Sequence, residues 1–237
     1  MKKLLLSAIL ASASLGAGAV TPLWLRDVKI SPDGKEIAFT YRGDIYKVPV
    51  AGGTATRLTS RPSYEANPVW SPDGKSIAFA SDREGSLDIF IMSADGGDAK
   101  RLTSNSTDEI PEAFSPDGKS VLFSAAIQDV PTNVQFPSRR LTEVYRVPVT
   151  GGRSTQVLST PAQMISFIPG TENFVYQDQK GMENEWRKHH TSSVTRDLWL
   201  YDAKSGKHTN LTHRGGEDRN PVVSADGKTV YFLSERD

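Results

Sequence analysis

Two stretches of the sequence carry side chains whose types and spacing suit ligand binding. Arg139 and Arg140 are adjacent, and the planar guanidinium fork of arginine matches a carboxylate in a bidentate geometry. The alternative interpretation of this pair is a solvated doublet that flanks a strand. The second stretch is a cluster of charged and imidazole side chains. It contains Glu185, Arg187, Lys188, His189, His190 and Arg196.

The histidine doublet in the second stretch suggests metal binding, but its spacing argues against that chemistry. In an extended segment, adjacent side chains point to opposite faces, so His189 and His190 would not share one ion. Cysteine is absent and the other histidines are scattered. We therefore predict no metal site. We predict instead a network that orders this segment or an interface, with Trp186 packed beside it. Its members are Glu185, Arg187, His189, His190 and Arg196.

Motifs for nucleophilic catalysis and for phosphate binding are missing. Ser192 and Ser193 follow His190 closely, but no G-x-S-x-G elbow or oxyanion loop accompanies them. No glycine-rich loop opens a helix, because no helical periodicity follows the N-terminal segment. We therefore predict no catalytic residue and no cofactor for this chain.

Composition narrows the class of protein. The chain has 237 residues with 28 basic and 28 acidic side chains, so its formal net charge is zero. A general nucleic-acid binder needs a positive surface, and we therefore predict no nucleic-acid partner. The absence of cysteine excludes disulfide bonds, zinc–thiolate sites and thiol catalysis.

The N-terminal segment has the pattern of a secretory signal peptide. Lys2 and Lys3 precede a short apolar run at 4–10, and small residues lead to an A-x-A pattern at 17–19. The run is much shorter than the roughly 20 residues of a membrane span. We predict a signal peptide over 1–19 and a mature protein that is periplasmic or secreted.

Internal repetition is the strongest signal in the sequence. The motif Ser31-Pro32-Asp33-Gly34-Lys35 recurs at 71–75 and 115–119, in altered form at 224–228, and as a degenerate copy at 168–170. A second motif recurs in phase, as DIYKVPVAGG at 44–53, DIFIMSADGG at 88–97, EVYRVPVTGG at 143–152 and DLWLYDAKSG at 197–206. A third motif closes each unit, with RLTS at 57–60 and at 101–104, VLST at 157–160 and NLTH at 210–213.

Each repeat predicts four short strands separated by turns. The Ser-Pro-Asp-Gly motif is a hairpin turn, because proline presets φ, aspartate bonds to the local backbone and glycine accepts positive φ. A four-stranded unit of roughly 40 residues, repeated in phase, is typical of a β-propeller blade. We therefore predict an all-β propeller; a β-sandwich is the second choice, although it leaves the phased repeats unexplained.

The repeats divide the chain into blades. We predict blades at about 22–60, 66–104, 110–160 and 162–214, and part of a fifth at 219–237. A propeller closes into a ring, so we expect this chain to be part of a longer protein. Insertions of 127–142 in the third blade and 177–196 in the fourth replace short strand connections. Long loops on a rigid scaffold are where function is commonly found.

Two segments make the chain resemble a known family. KHHTSSVTRDLW at 188–199 and GEDRNP at 216–221 look like segments of the N-terminal propeller of secreted bacterial tricorn-protease homologues. The repeats also resemble those of TolB, although plain TolB propellers lack the 180–199 insertion. The resemblance implies a large secreted serine peptidase with PDZ and catalytic domains, whose catalytic residues lie beyond Asp237. The alternatives are a TolB-like non-enzymatic binding propeller and the propeller of another hydrolase, either prolyl oligopeptidase-like or an amidohydrolase.

The resemblance also implies a role for the arginine pair. In tricorn-type proteases a basic pair delivered by the propeller anchors the carboxylate at the C-terminus of the substrate. Arg139 and Arg140 stand at a matching place, just before the third strand of an early blade. The expected partners are a peptide or unfolded protein substrate and the remaining domains of the parent protein. The sequence leaves open whether the protein forms a homo-oligomer.

Overall fold

The computed structural model describes residues 23–127, 141–181 and 191–236, and the description that follows is confined to them. Within these ranges all regular structure is β-strand, and no helix is present. The described part of the chain accordingly contains no helix long and apolar enough to cross a membrane. The prediction of an all-β protein is confirmed.

The strands form four sheets of four strands and one sheet of two, each built from consecutive antiparallel strands. The first blade contains β1 (Arg26–Ile30), β2 (Glu36–Tyr41), β3 (Asp44–Pro49) and β4 (Thr56–Arg57). The second contains β5 (Glu65–Trp70), β6 (Ser76–Glu84), β7 (Ser86–Ser93) and β8 (Lys100–Arg101). The third contains β9 (Glu109–Phe114), β10 (Ser120–Ala125), β11 (Glu143–Pro148) and β12 (Thr155–Leu158). The fourth contains β13 (Ala162–Phe167), β14 (Phe174–Asp178), β15 (Leu198–Asp202) and β16 (Lys207–Asn210), and the fifth sheet contains β17 (Asp218–Val223) and β18 (Val230–Ser234).

This arrangement confirms the propeller prediction and argues against the sandwich. Strands pair only within their own repeat, and the first strands of successive sheets pack against each other. Three apolar cores lie between neighbouring blades. Phe79 and Phe90 of the second blade pack toward the first, whereas Phe123 and Tyr145 of the third pack toward the second. The second and third blades therefore bury both of their faces against their neighbours.

The Ser-Pro-Asp-Gly-Lys motifs form the turns predicted from the sequence. In each of the four copies the serine hydroxyl donates to the aspartate carboxylate two residues later, at 2.6–2.7 Å. This hydrogen bond holds the pKa of the aspartate below its usual value. Gly74, at φ 70°, illustrates the positive φ that the last turn position requires. The degenerate copy at 168–170 is also a turn, closed by a bond from Ile168 N to Asn173 O.

Hydrogen bonds from irregular points of the first strands connect neighbouring blades. The register of β5, β13 and β17 shifts at a residue with positive φ, and the amide of that residue turns toward the preceding blade. The bonds run from Asn67 to Asp27, from Met164 to Glu112 and from Asn220 to Gln177, with N···O distances of 3.3, 2.8 and 2.9 Å. The innermost layer is therefore tied together by polar contacts in addition to apolar packing.

The two outermost sheets each leave one apolar face uncovered. Ile30 is 60% exposed, whereas Trp70, at the same position of the next repeat, is 9% exposed. At the other end, Val222 is 58% exposed and its repeat equivalent Val69 is 4% exposed. These exposed positions are the ones that contact a neighbouring blade elsewhere in the molecule.

Candidate functional site

The two ends of the blades carry different kinds of strand connection. One end, here called the turn face, carries the Ser-Pro-Asp-Gly turns and the glycine turns after the third strands. The other end, here called the loop face, carries the connections from second to third strands and the crossovers from one blade to the next. The strand ends that the two predicted insertions join, from β10 to β11 and from β14 to β15, lie at the loop face.

Most of the residues singled out from the sequence lie outside the described residues. They are Arg139, Arg140, Glu185, Arg187, His189 and His190. Their predicted roles therefore stay predictions. Arg196 is described and is 7% exposed. Its Nη1 donates to Glu217 Oε1 at 2.7 Å and its backbone amide donates to Glu217 Oε2 at 3.3 Å, so it joins the fourth blade to the fifth sheet.

A buried acid lies at or near the start of the third strand in each of the four blades, on the loop face. In the first two blades these third-strand acids pair with the arginine of the closing motif, from Asp44 to Arg57 and from Asp88 to Arg101, both at 2.7 Å. The threonine of the same motif accepts the next amide of the third strand, as Thr59 does from Ile45 at 2.9 Å. The Arg-Leu-Thr motif therefore closes the blade by neutralising a buried carboxylate and by satisfying a backbone donor.

The third and fourth blades satisfy the acid at this position with other partners. Glu143 Oε2 accepts hydrogen bonds from the Tyr145 hydroxyl at 2.8 Å and from Gln156 Nε2 at 2.7 Å. Asp197 pairs with Lys180 at 2.7 Å, and Asn210 takes the position of the arginine. The ionic partner in the fourth blade thus comes from the end of the second strand instead of from the closing motif.

A second buried acid begins the first strand in three of the five sheets. These first-strand acids are Glu65, Glu109 and Asp218, which are 0%, 0% and 1% exposed. In two of them an arginine approaches from the end of the second strand, Arg83 from within β6 and Arg236 from just after β18. Arg83 donates to Glu65, and Arg236 donates to Asp218 at 3.2 Å. Arg83 also stacks over Phe90, with its Cζ 4.3 Å from the ring centroid.

The third repeat has the acid without the arginine. Pairing Glu109 with Ala125 in the sheet places Ile127 at the position that Arg83 and Arg236 occupy in their repeats. Glu109 Oε1 accepts a hydrogen bond from Asn105, and Oε2 has no partner among the described residues. Burial is the main cause that raises the pKa of Glu109 to about 7, although hydrogen bonds from Thr103 and Asn105 oppose the shift.

The fourth repeat shows the converse arrangement. Ala162 stands where the first-strand acid would be, and Lys180 stands at the position of Arg83. With no acid on the first strand, Lys180 turns to Asp197 and to Asp178, the latter at 3.4 Å. The amine therefore remains paired, with Asp197 and with a second carboxylate, Asp178, at the end of the second strand.

The arrangement offers buried carboxylates and cations that hold the loop face in place. In the part of the chain that the structure describes, no three side chains of the types His, Cys, Asp and Glu are grouped in a way that could hold a metal ion. The sequence analysis did not predict that the third-strand acids and the first-strand acids are buried and paired. The available signal was the recurrence of Asp or Glu at the same phase of each repeat, 13 residues before the arginine in Asp44–Arg57 and Asp88–Arg101.

Comparison with known proteins identifies the family. The model of a family described as the tricorn protease N-terminal beta propeller domain matches residues 22–237. A relative named Tricorn protease homolog 1, from Streptomyces coelicolor, is 26% identical over 206 residues, which cover 87% of this chain and 18% of that protein. The chain spans between 18% and 30% of the length of the curated relatives that it matches here.

Solved structures show the same fold. A putative TolB from Agrobacterium tumefaciens superposes with a TM-score of 0.71 at 18% identity, covering 90% of this chain and 71% of that chain. The crystal structure of the tricorn protease superposes with a TM-score of 0.67 at 20% identity, covering 90% of this chain and 22% of that chain. At these identities the likeness concerns the fold alone.

Proposed function

This chain belongs to the family of tricorn protease N-terminal β-propeller domains, and we propose from that premise that it is the substrate-docking propeller of a secreted peptidase. The observation that carries the proposal is the family match over 22–237, together with the position of both insertions on one face. A face built on rigid, internally neutralised blade ends suits the selection of peptides before they reach a catalytic domain. Peptides and unfolded proteins are the proposed ligands, and PDZ and catalytic domains of the parent protein are the proposed partners.

Cleavage itself is assigned to other parts of the parent protein. The sequence offers no nucleophile with a supporting motif, so the isolated chain is expected to hydrolyse no peptide. The signal-peptide pattern at 1–19 supports export. Mass spectrometry of the protein recovered from cells tests that part, with a mature N-terminus at Val20 as the expected result. An N-terminus at Met1 would contradict export by a cleaved leader.

The finer part of the proposal assigns Arg139 and Arg140 to the C-terminal carboxylate of the peptide. In the full-length parent protein, replacing both with alanine should reduce kcat/KM for peptides with a free C-terminus by tenfold to a hundredfold, roughly the value of a charge-assisted hydrogen bond. Hydrolysis of the same peptides with an amidated C-terminus should change little. An equal loss on both kinds of peptide would show that the pair is structural.

A matched control comes from the turn face of the same blade. Lys119 and Arg153 are exposed there, and replacing both with alanine removes the same charge from the third blade. This control variant should cleave free and amidated peptides as the wild type does. A loss equal to that of the Arg139, Arg140 variant would mean that net charge, rather than a docking site, governs the rate.

A TolB-like binding propeller without enzymatic activity is the second candidate. It is favoured by the TM-score of 0.71 with a putative TolB, of which this chain covers 71%. The two candidates differ in what the full-length parent protein does to an unfolded peptide. Hydrolysis that persists through purification supports the peptidase. Stoichiometric capture of a folded envelope protein without any hydrolysis would support the scaffold and overturn the peptidase proposal.

A further inference from the structure

An open groove of about 650 Å³ lies on the loop face of the first blade. Its walls come from the segment before β1, from the hairpin between β2 and β3, and from the crossover into the second blade. The lining residues are Leu23, Trp24, Arg26, Thr40, Tyr41, Arg42, Gly43 and Tyr64. These residues belong to the first blade and its leading segment, except for Tyr64, which lies on the crossover.

Aromatic rings form much of the wall. Trp24 is 75% exposed and Tyr64 is 41% exposed. The backbone of Tyr64 is fixed by the tip of the second blade, because its amide donates to Asp82 Oδ1 at 2.7 Å and its carbonyl accepts from Asp82 N at 3.2 Å. Gly43 (φ 82°) lies beside the Tyr64 ring, and an added Cβ would be in van der Waals contact with Tyr64 Cδ2, at 3.4 Å. The position of the Tyr64 backbone is therefore set before any ligand arrives.

Two guanidinium groups lie on these rings. Arg26 Cζ is 5.6 Å from the centroid of the Trp24 ring, and Arg42 Cζ is 5.2 Å from that of Tyr41. Stacking uses the flat face of a guanidinium and leaves its N–H edge for an anion. Within 23–127, 141–181 and 191–236, neither arginine has an Asp or Glu at ion-pair distance. The nearest acids in the sequence have other partners, since Asp27 accepts from the Asn67 amide at 3.3 Å and Asp44 is paired with Arg57.

A buried hydroxyl without a partner lines the same groove. Thr40 is 2% exposed, and its Oγ1 makes no hydrogen bond with any described residue. A buried polar atom without a partner costs free energy in the unliganded protein. Because this atom is itself covered from solvent, a ligand in the open groove does not reach it, and recognition rests on the aromatic rings and the two arginines.

We propose that this groove binds an aromatic carboxylate, with the ring against Trp24 and Tyr64 and the carboxylate on Arg26 and Arg42. Three aromatic side chains favour a flat apolar ring over a bare anion, and two unpaired guanidiniums favour an acid over a neutral ring. The ligand is either a free small acid or a C-terminal aromatic residue of a peptide. This inference does not depend on the proposed peptidase function.

Titration calorimetry of the 237-residue chain tests the site with three probes. Indole-3-acetate represents the free acid, an N-acetylated tripeptide ending in phenylalanine represents the peptide, and indole-3-acetamide lacks the charge. We expect saturable binding of one acid per chain, and binding of the amide at least tenfold weaker. Tighter binding of the tripeptide than of indole-3-acetate would assign the groove to peptide ends, and the reverse order to small acids.

Variants separate recognition from folding. Arg42→Gln removes an exposed charge from the hairpin and should weaken binding of the acid about tenfold while leaving binding of the amide unchanged. Thr40→Val should leave binding of the acid unchanged without lowering the thermal midpoint, because it removes an unpartnered hydroxyl that is covered from the groove. Arg61→Gln is the matched control, since Arg61 is exposed on the neighbouring crossover and does not line the groove. Its affinity should equal that of the wild type.

Three results would overturn the proposal. The first is equal affinity for the acid and the amide, which would exclude recognition of the carboxylate. The second is a loss in Arg61→Gln as large as that in Arg42→Gln, which would reduce the effect to net charge. The third is the absence of saturable binding up to millimolar probe in a chain whose β-sheet circular dichroism and cooperative unfolding are intact.

Discussion

Glu65 and Glu109 occupy the same position in two successive blades and have different surroundings. Both begin a first strand, and both are 0% exposed. Glu65 receives the guanidinium of Arg83 and the Ser63 hydroxyl, the latter at 3.2 Å. Glu109 receives the amide of Asn105, and Ile127 stands where the arginine would be. The fold thus tolerates a buried carboxyl group at this position with or without a cation.

The difference shows two ways of keeping a carboxyl group inside a propeller. A buried carboxylate is stable when a guanidinium and further hydrogen bonds replace its water. Without the guanidinium, the protein favours the protonated acid, and burial raises the pKa of Glu109 to about 7. The neighbouring Asp88 carboxylate acts in the same direction and Arg101 opposes it. The third repeat therefore carries a group that titrates near neutral pH where the second carries a fixed ion pair.

The largest expected effect is the loss of the cation from the second repeat. Arg83→Met keeps much of the apolar stem but leaves Glu65 buried and unpaired, which typically costs about 3–5 kcal/mol. Contacts of the guanidinium with Phe79 and Phe90 are lost as well. The free energy of unfolding in urea at pH 7 should fall by that amount. Glu65→Gln combined with Arg83→Met should recover part of the loss, because no buried charge then remains.

The outcome of Arg83→Met tests the comparison directly. Arg61→Met is the control, since Arg61 is exposed and makes no ion pair among the described residues. That control should change stability by less than about 0.5 kcal/mol. A small effect of Arg83→Met, similar to that of the control, would mean that Glu65 does not need its guanidinium. The contrast between the two repeats would then lose its physical basis.

A second prediction concerns the pH dependence of the third repeat. The folded-state pKa of Glu109 is raised from 4.5 to about 7, so the folded protein binds more protons than the unfolded chain between these values. Stability contributed by this group is therefore present below about pH 4.5 and is lost as the pH rises to about 7. At 1.36 kcal/mol per pKa unit, the loss is about 3 kcal/mol.

Glu109→Gln isolates this contribution, because the amide keeps an oxygen that accepts from Asn105 and does not titrate. Unfolding free energies of the wild type and the variant should be measured from pH 4.5 to 7.5, and their difference followed. The variant should gain about 3 kcal/mol relative to the wild type over this range. Glu65→Gln should show no such gain, since it leaves Arg83 without its carboxylate. Parallel profiles for wild type and Glu109→Gln would show that Glu109 is ionised in the folded protein at neutral pH.

Features that depend on residues close in the sequence could be predicted. The Ser-Pro-Asp-Gly turns are local, since serine, aspartate and glycine act within five residues. Four copies in phase were sufficient to predict blades. The pairing of Glu65 with Arg83 spans 18 residues and depends on strand register. The equivalence of Ile127 and Arg83 depends on register too. It follows from the pairing of Ala125 with Glu109, because Ile127 lies two residues after Ala125.

The functional residues predicted from the sequence were charged and histidine side chains in the long insertions, where we expected exposure to solvent. Of these, the structure describes Arg196, and it is buried against Glu217 rather than open to solvent. The groove of the first blade was missed because its members lie far apart in the sequence, from Leu23 to Tyr64. Only folding of the first blade and its crossover brings them together. The sequence also does not indicate that the hydroxyl of Thr40 lacks a hydrogen-bond partner.

The smallest expected effect comes from giving the third repeat the arginine that it lacks. Ile127→Arg places a guanidinium at the position of Arg83 and should lower the pKa of Glu109 by about one to three units. Carbon-13 NMR of the labelled carboxyl group reports that pKa directly. At pH 8 the stability should rise by only about 1 kcal/mol, because the new ion pair is offset by the lost apolar packing of Ile127. Ile127→Met, which is long but uncharged, should leave the pKa of Glu109 near 7, and a fall equal to that in Ile127→Arg would assign the shift to packing instead of charge.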